Sequence, residues 1–187
     1  MSKQHARLIA LAGMPGAGKG IVSEVAKEMR YCVFMCGEVI RDEAKNRGIT
    51  QTPVNLGELM LRLRQEEGPS VVAKRLVPRI AKTGSSRILV EGIRSLEELE
   101  ELRKQFKYAI TVAVHASPQT RFKRLTLRRR EDDPRDRGQF SERDARELSV
   151  GLGNIIALSQ VILINEGSIN ELRNESMKLL EKVEAHE

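Results

Sequence analysis

The sequence predicts an α/β fold, a five-stranded parallel sheet with helices on both faces. Short apolar runs alternate with longer stretches of helical period, and a glycine-rich loop joins the first run to the first helix. No internal repeat or low-complexity linker interrupts the pattern, so the 187 residues read as one domain, 1–187.

Leu8-Ile9-Ala10-Leu11-Ala12 is apolar throughout, as a parallel strand buried on both faces requires. A helical period follows over residues 21–29. Further strand-like runs stand at Val33-Phe34-Met35, Arg87-Ile88-Leu89-Val90, Ala109-Ile110-Thr111-Val112-Ala113-Val114 and Val161-Ile162-Leu163-Ile164. Helix starts are marked by capping boxes at Ser95-Leu96-Glu97-Glu98 and Ser168-Ile169-Asn170-Glu171, and by Ser117-Pro118. Leu96, Leu99, Leu102 and Phe106 form one apolar stripe, and Ile169, Leu172, Leu179 and Val183 another; both read as core faces. Two segments break the alternation. Residues 37–82 hold two or three helical patterns, more than one crossover needs, and residues 129–142, dense in charge with Pro134 and Gly138, read as a mobile loop.

Hydrophobic content of 40% and charged content of 31% suit a soluble globular protein. No apolar run reaches membrane-spanning length and the N-terminus lacks a secretory apolar region, so the expected location is cytoplasmic, with no membrane partner. Cys32 and Cys36, the only cysteines, are expected as buried reduced thiols. A net charge of +6 fits nucleic acid or, equally, arginines around a small polyanion. Aromatic content of 3% weakens a base-stacking platform, so nucleic acid is a possible but not favoured partner. Oligomeric state is unknown from sequence.

Gly13-Met14-Pro15-Gly16-Ala17-Gly18-Lys19-Gly20 fits the phosphate-binding pattern G-x-x-x-x-G-K-[ST] except at its last position. Glycines let backbone N–H groups converge on phosphate oxygens, and the following helix adds its positive end. Lys19 supplies a mobile charge for the donor phosphates. Gly20 lacks the usual Mg²⁺-binding hydroxyl. Glu91 ends the run Ile88-Leu89-Val90, where a carboxylate meets the bound Mg²⁺ and its waters. Arg41 lies one helical turn into a segment opened by Gly37 and suits an acceptor phosphate. Arg124, Arg128, Arg130 and Arg143 are candidates for the transferring group, while Arg121 and Arg129 are assigned to the surface. His115, ending an apolar strand, reads as a satisfied structural histidine.

At these residues the chain resembles the adenylate kinase and nucleoside monophosphate kinase family, and within it a mainly archaeal adenylate-kinase-like group. The loop resembles G-x-P-G-x-G-K-G, including Pro15 and Gly20. Cys36-Gly37-Glu38-Val39-Ile40-Arg41 resembles T-G-D-x-x-R, and Glu91-Gly92-Ile93-Arg94 a shortened D-G-F-P-R. Arg124-Leu125 with Arg128, then Arg130-Glu131-Asp132-Asp133 and Arg143, resemble the family's lid arginines and R-x-D-D segment. The chain departs from the pattern at Cys36, Glu91 and Ile21, and it lacks the proline before Arg94.

The resemblance implies a three-layer P-loop NTPase fold with a helical acceptor-binding insert at 37–82 and a short lid at 129–142. It implies ATP and Mg²⁺ as cofactors and a small-molecule nucleotide as substrate. Gly13, Met14, Pro15, Gly16, Ala17, Gly18, Lys19, Gly20, Ile21, Arg124, Asn165 and Gly167 would hold the donor. Cys36, Gly37, Arg41 and Arg94 would hold the acceptor. Lys19, Arg128, Arg130 and Arg143 would be catalytic, and Glu91 would act on the metal through water. The expected activity is phosphoryl transfer from Mg-ATP to a nucleoside monophosphate, AMP or CMP first. The alternatives are another small acceptor such as dephospho-coenzyme A, which would need a carboxylate near Glu38 or Asp42, and a nucleotide-switched RNA-associated ATPase.

Overall fold

The computed structural model describes residues 6–128, 130 and 133–185. The order is β1 (Arg7–Ala12), α1 (Lys19–Glu28), β2 (Cys32–Met35), α2 (Cys36–Asn46), α3 (Pro53–Glu67), α4 (Val71–Thr83), β3 (Arg87–Glu91), α5 (Leu96–Gln105), β4 (Tyr108–His115), α6 (Pro118–Arg128), α7 (Arg137–Ser149), α8 (Leu152–Ala157), β5 (Val161–Ile164) and α9 (Ile169–Ala185). The sheet is wholly parallel, ordered β2-β3-β1-β4-β5. Each strand-like run of the sequence is one of these strands.

Alternation along β1 divides the core. Leu8, Ala10 and Ala12 pack with buried residues of α2 to α5 and α8. Ile9 and Leu11 pack on the other face with Val22, Val25 and Ala26 of α1 and Leu172 and Leu180 of α9. The chain leaves β1 for the edge strand β2, returns to β3, and then crosses β1 to reach β4. Strand order therefore reverses at β1, and the crevice beyond its carboxyl end is where an open α/β sheet binds ligands.

Helices α2, α3 and α4 fill the segment between β2 and β3 and share one core through Val39, Leu59, Leu63, Leu76 and Ile80. One buried ion pair ties this group to the sheet layer. Glu98 of α5 is fully buried, accepts from the Arg94 N–H at 2.8 Å, and pairs with Arg64 of α3. The capping box at Ser95 is thus half made: Ser95 Oγ accepts from the Glu98 N–H, but the carboxylate turns to Arg94. The box at Ser168 and Glu171 is complete in both directions.

Two expectations are corrected. The segment read as loop over 129–142 is helical from Arg137, because Asp136 caps α7 by accepting from the Gln139 N–H at 2.8 Å. Gly138 falls in the first turn and does not break it; positions 129, 131 and 132, with Arg129, lie outside the described residues. Ile169, read as core, is 64% exposed at the start of α9, where the helix overhangs the crevice. Among the described residues no helix is long and apolar enough to cross a membrane.

Replacing Glu98 with Ala should destabilise the protein by about 3–5 kcal/mol, because Arg64 would keep a buried charge without its partner. Denaturant unfolding measures this. A loss under 1 kcal/mol would show that the pair is dispensable.

Candidate active site

The loop between β1 and α1 turns its carbonyls outward. Gly13 O accepts from Lys19 Nζ at 2.7 Å, Met14 O from the Ala17 N–H at 3.1 Å, Pro15 O from Arg121 Nη1 at 3.2 Å and Ala17 O from Asn165 Nδ2 at 2.8 Å. The N–H groups of Gly16, Gly18, Lys19 and Gly20 donate to no described residue, which leaves a set of donors at the positive end of α1. Glycine is required here. Gly18 has φ 109°, and a Cβ on it would stand 2.2 Å from Asn165 Nδ2. A Cβ on Gly16, at φ 81°, would stand 2.9 Å from the Arg121 carbonyl. Gly20 differs, with open space around its Cβ position. Burial pushes the Lys19 ammonium down to about 8, partly opposed by the nearby Glu91.

A cleft of about 400 Å³ opens beside this loop, walled by Lys19, Gly20, Ile21, Glu91, Arg124, Arg128, Asn165 and Ile169. Glu91 accepts from Ser23 Oγ at 2.6 Å, a buried hydroxyl one helical turn beyond Lys19 that sequence reading passed over. Arg124 donates to Asn165 O at 2.9 Å and Oδ1 at 3.2 Å, so Asn165 is clasped between α6 and the loop. Gly167 lies against the Glu171 carboxylate, where a Cβ would overlap Oε2 at 1.8 Å.

On the other side of Lys19 a cleft of about 150 Å³ is lined by Gly37, Arg41, Gly57, Arg94, Arg143, Arg146 and Glu147. Arg94 Nε donates to Glu147 Oε2 at 2.5 Å. That carboxylate pushes the Arg94 guanidinium further up, and although burial opposes charge on Glu147, Arg94 holds its carboxyl below the ordinary range. Arg146 lies flat on Gly57, where a Cβ would meet the guanidinium at 2.9 Å. No described residue pairs with the guanidinium of Arg41 or Arg146. Arg146 and Glu147 were missed in the sequence. They follow Arg143 at i+3 and i+4, one helix face, which extending α7 from Arg143 would have found. Cys36 is fully buried, its thiol pushed up by that burial, and does not line this cleft. Cys32 is only half-buried.

Asp133 gathers Arg128, Arg130 and Arg143. It accepts from Arg128 Nε at 2.9 Å and Nη2 at 2.5 Å and from the Arg130 N–H at 2.9 Å, with Arg143 Nη1 at 3.8 Å. Burial opposes its charge, but these donors keep the Asp133 carboxyl below the usual range. The surface assignment of Arg121 is overturned. It is 3% exposed, forks onto Asp144 at 2.8 and 2.6 Å, donates to Pro15 O and Ala116 O, and lies over the Phe140 ring at 4.9 Å. A guanidinium with all three nitrogens donating tolerates this burial. His115 is exposed, and no described residue bonds its ring, so the reading of a satisfied structural histidine is also corrected.

The family described as AAA domain matches residues 12–140. The chain is 45% identical over 183 residues to a UPF0200 protein of Hyperthermus butylicus, covering 98% of each. It is 44% identical over 176 residues to one of Methanothermobacter thermautotrophicus, covering 94% of this chain and 90% of that one. Among solved structures it resembles a shikimate kinase from Acinetobacter baumannii in complex with shikimate, with TM-score 0.60, 16% identity and coverage of 98% and 96%. It also resembles a gluconokinase from Sinorhizobium meliloti, with TM-score 0.54, 14% identity and coverage of 96% and 94%. The distant likenesses carry the P-loop kinase-like fold and no acceptor. The near ones span almost the whole sequence, and by them this chain belongs to the UPF0200 family.

Proposed function

We propose that this protein transfers the γ-phosphoryl group of Mg-ATP to a small acceptor that carries a phosphate. One observation supports this above the others: Lys19 and its row of unpaired N–H groups stand between a donor-sized cleft and a cleft rich in arginine. The resemblance of the sequence motifs to nucleoside monophosphate kinases makes a nucleoside monophosphate, AMP or CMP, the first acceptor to test.

The donor phosphates would take the N–H groups of residues 16–20 and the Lys19 ammonium, with Arg124 and Asn165 beside them. Arg128 and Arg143 would turn from Asp133, and Arg130, held there by its backbone N–H, would join them on the transferring group. The donor cleft offers Mg²⁺ two carboxylates, Glu91, held by Ser23, and the exposed Glu24, and no hydroxyl at Gly20 or Ile21. Among the described residues no cluster of three or more metal-binding side chains occurs. This set suits an ion that keeps most of its waters, with Glu91 accepting from them. When bound, Mg²⁺ would screen the charge of the phosphates. Gly37, Arg41 and Arg94 would hold the acceptor; Cys36 would support them from the core.

ADP release from Mg-ATP, measured against AMP, CMP, dephospho-coenzyme A and water, tests the proposal. Turnover should rise above the water rate with at least one phosphorylated acceptor, and K19A should abolish it while leaving the circular dichroism spectrum unchanged. Wild-type turnover by folded K19A would defeat the reading.

ATP affinity should depend on Lys19 protonation. The free lysine loses its proton near pH 8, whereas bound phosphates would hold it charged to higher pH, so above pH 8 binding takes up a proton. The Kd for ATP should then rise by up to about tenfold per unit between pH 8 and 10. K19R, which stays charged, should flatten that rise; equal slopes for both proteins would remove Lys19 from the phosphate site. R41A should raise the acceptor KM by the equivalent of about 1.5–3 kcal/mol with ATP affinity unchanged. Equal losses for donor and acceptor would contradict its assignment.

A further inference from the structure

The acceptor cleft contains one carboxylate among four arginines, and its position bears on which atom of the acceptor receives the phosphoryl group. Glu147 lines this cleft and also the small cavity it shares with Gly13, Lys19 and Arg94 at the phosphate loop. It therefore stands where the two sites meet. Its Oε2 is fixed by Arg94 at 2.5 Å, and no described residue donates to Oε1. Other carboxylates are placed elsewhere. Glu38 is exposed, Asp42 pairs outward with Arg79 at 2.7 Å, and Glu91 is on the donor side with Ser23.

Resting on the phosphotransfer reading above, we propose that the acceptor is phosphorylated on a hydroxyl group, with Glu147 as the catalytic carboxylate that accepts its proton. Arg41 and Arg146 hold the acceptor's own phosphate as an anchor. Their guanidiniums have no described partner, whereas Arg94 already holds Glu147 Oε2 on its Nε. A phosphate oxygen brought to the transfer point as nucleophile would face the Glu147 carboxylate, like charge against like. A hydroxyl there donates to Oε1 instead. A nucleoside monophosphate carries both groups, a phosphate for the anchor and ribose hydroxyls for the reaction.

The step balances without a further reagent. The acceptor oxygen forms a bond to the γ-phosphorus as the bond from that phosphorus to the β–γ bridging oxygen breaks, and ADP leaves with the electron pair. The hydroxyl proton passes to Glu147 Oε1 and from there to water. Transfer through a loose transition state removes that proton late, so an oriented carboxylate of ordinary or low basicity suffices.

The test is E147Q, which keeps the shape and removes the charge. Steady-state ADP release is measured with AMP, CMP, dephospho-coenzyme A and water, itself a hydroxyl acceptor present in every assay. In the best of these, kcat should fall by about 100-fold or more, while ATP affinity by calorimetry below pH 7, where Lys19 stays charged, changes little. E147D, which keeps the carboxylate, should recover part of the loss and covers the case in which E147Q does not fold. For any acceptor that exceeds water, phosphorus NMR of the wild-type product should show a new phosphomonoester. A phosphoanhydride product, or an unchanged or faster E147Q, would overturn the proposal, since a phosphate nucleophile gains when the opposing charge is removed. Wild-type protein that fails to bind Mg-ATP would instead bring down the phosphotransfer reading itself, and this role with it.

Discussion

A loop that must keep its N–H groups unpaired is the constraint on which the rest of the crevice depends. Such groups are costly to hold in order without a partner. The chain meets the cost by binding the opposite side of the same peptides. Lys19, Arg121 and Asn165, from α1, α6 and the segment after β5, take the carbonyls of Gly13, Pro15 and Ala17. With those carbonyls held outward, peptide planarity leaves the donors facing the crevice. Gly16 and Gly18 lie beneath Arg121 and Asn165, and these anchoring residues stand where a side chain would go.

Charge is arranged around this loop with similar economy. Three arginines near the crevice are matched by carboxylates: Arg121 by Asp144, Arg94 by Glu147, Arg128 by Asp133. The pairs of Arg121 and Arg94 fix those guanidinium planes in place, which lowers the entropy lost on binding. Glu91 and Glu147 lie on opposite sides of Lys19, one in each cleft, and both bear on its charge.

The strands were legible in the sequence because a parallel sheet covered on both faces demands uninterrupted apolar runs, and the loop because its glycine spacing has a stereochemical cause. The loop's placement of Lys19, the position of Glu91 at the end of β3 and of Arg41 one turn into α2 followed from local spacing. What was not legible depends on partners far along the chain. Arg121 reads as solvated until Asp144, on another helix, is known to meet it. Glu147 looks like any polar residue of a charged helix until α7 is folded against Arg94. The start of α7 was lost because Gly138 and Pro134 suggested a loop, whereas a single aspartate cap decided the matter. Ile169 was misassigned because its stripe is real but its first member extends beyond the sheet.

The Arg121 clamp has a mechanical consequence. Asp144 holds the phosphate loop through Arg121, and Arg143, Arg146 and Glu147, on the same helix, line the opposite cleft. Phe122 and Phe140, edge to face at 5.5 Å, further fasten α6 to α7. Helix α7 thus acts as a ruler: less than one turn of rigid backbone sets the spacing between the two halves of the crevice. A single-residue insertion between Asp144 and Glu147 would rotate one half about 100° around the helix axis relative to the other while leaving the clamp intact. Any closure of the crevice then falls to the wall facing this ruler, formed by α2 and α3.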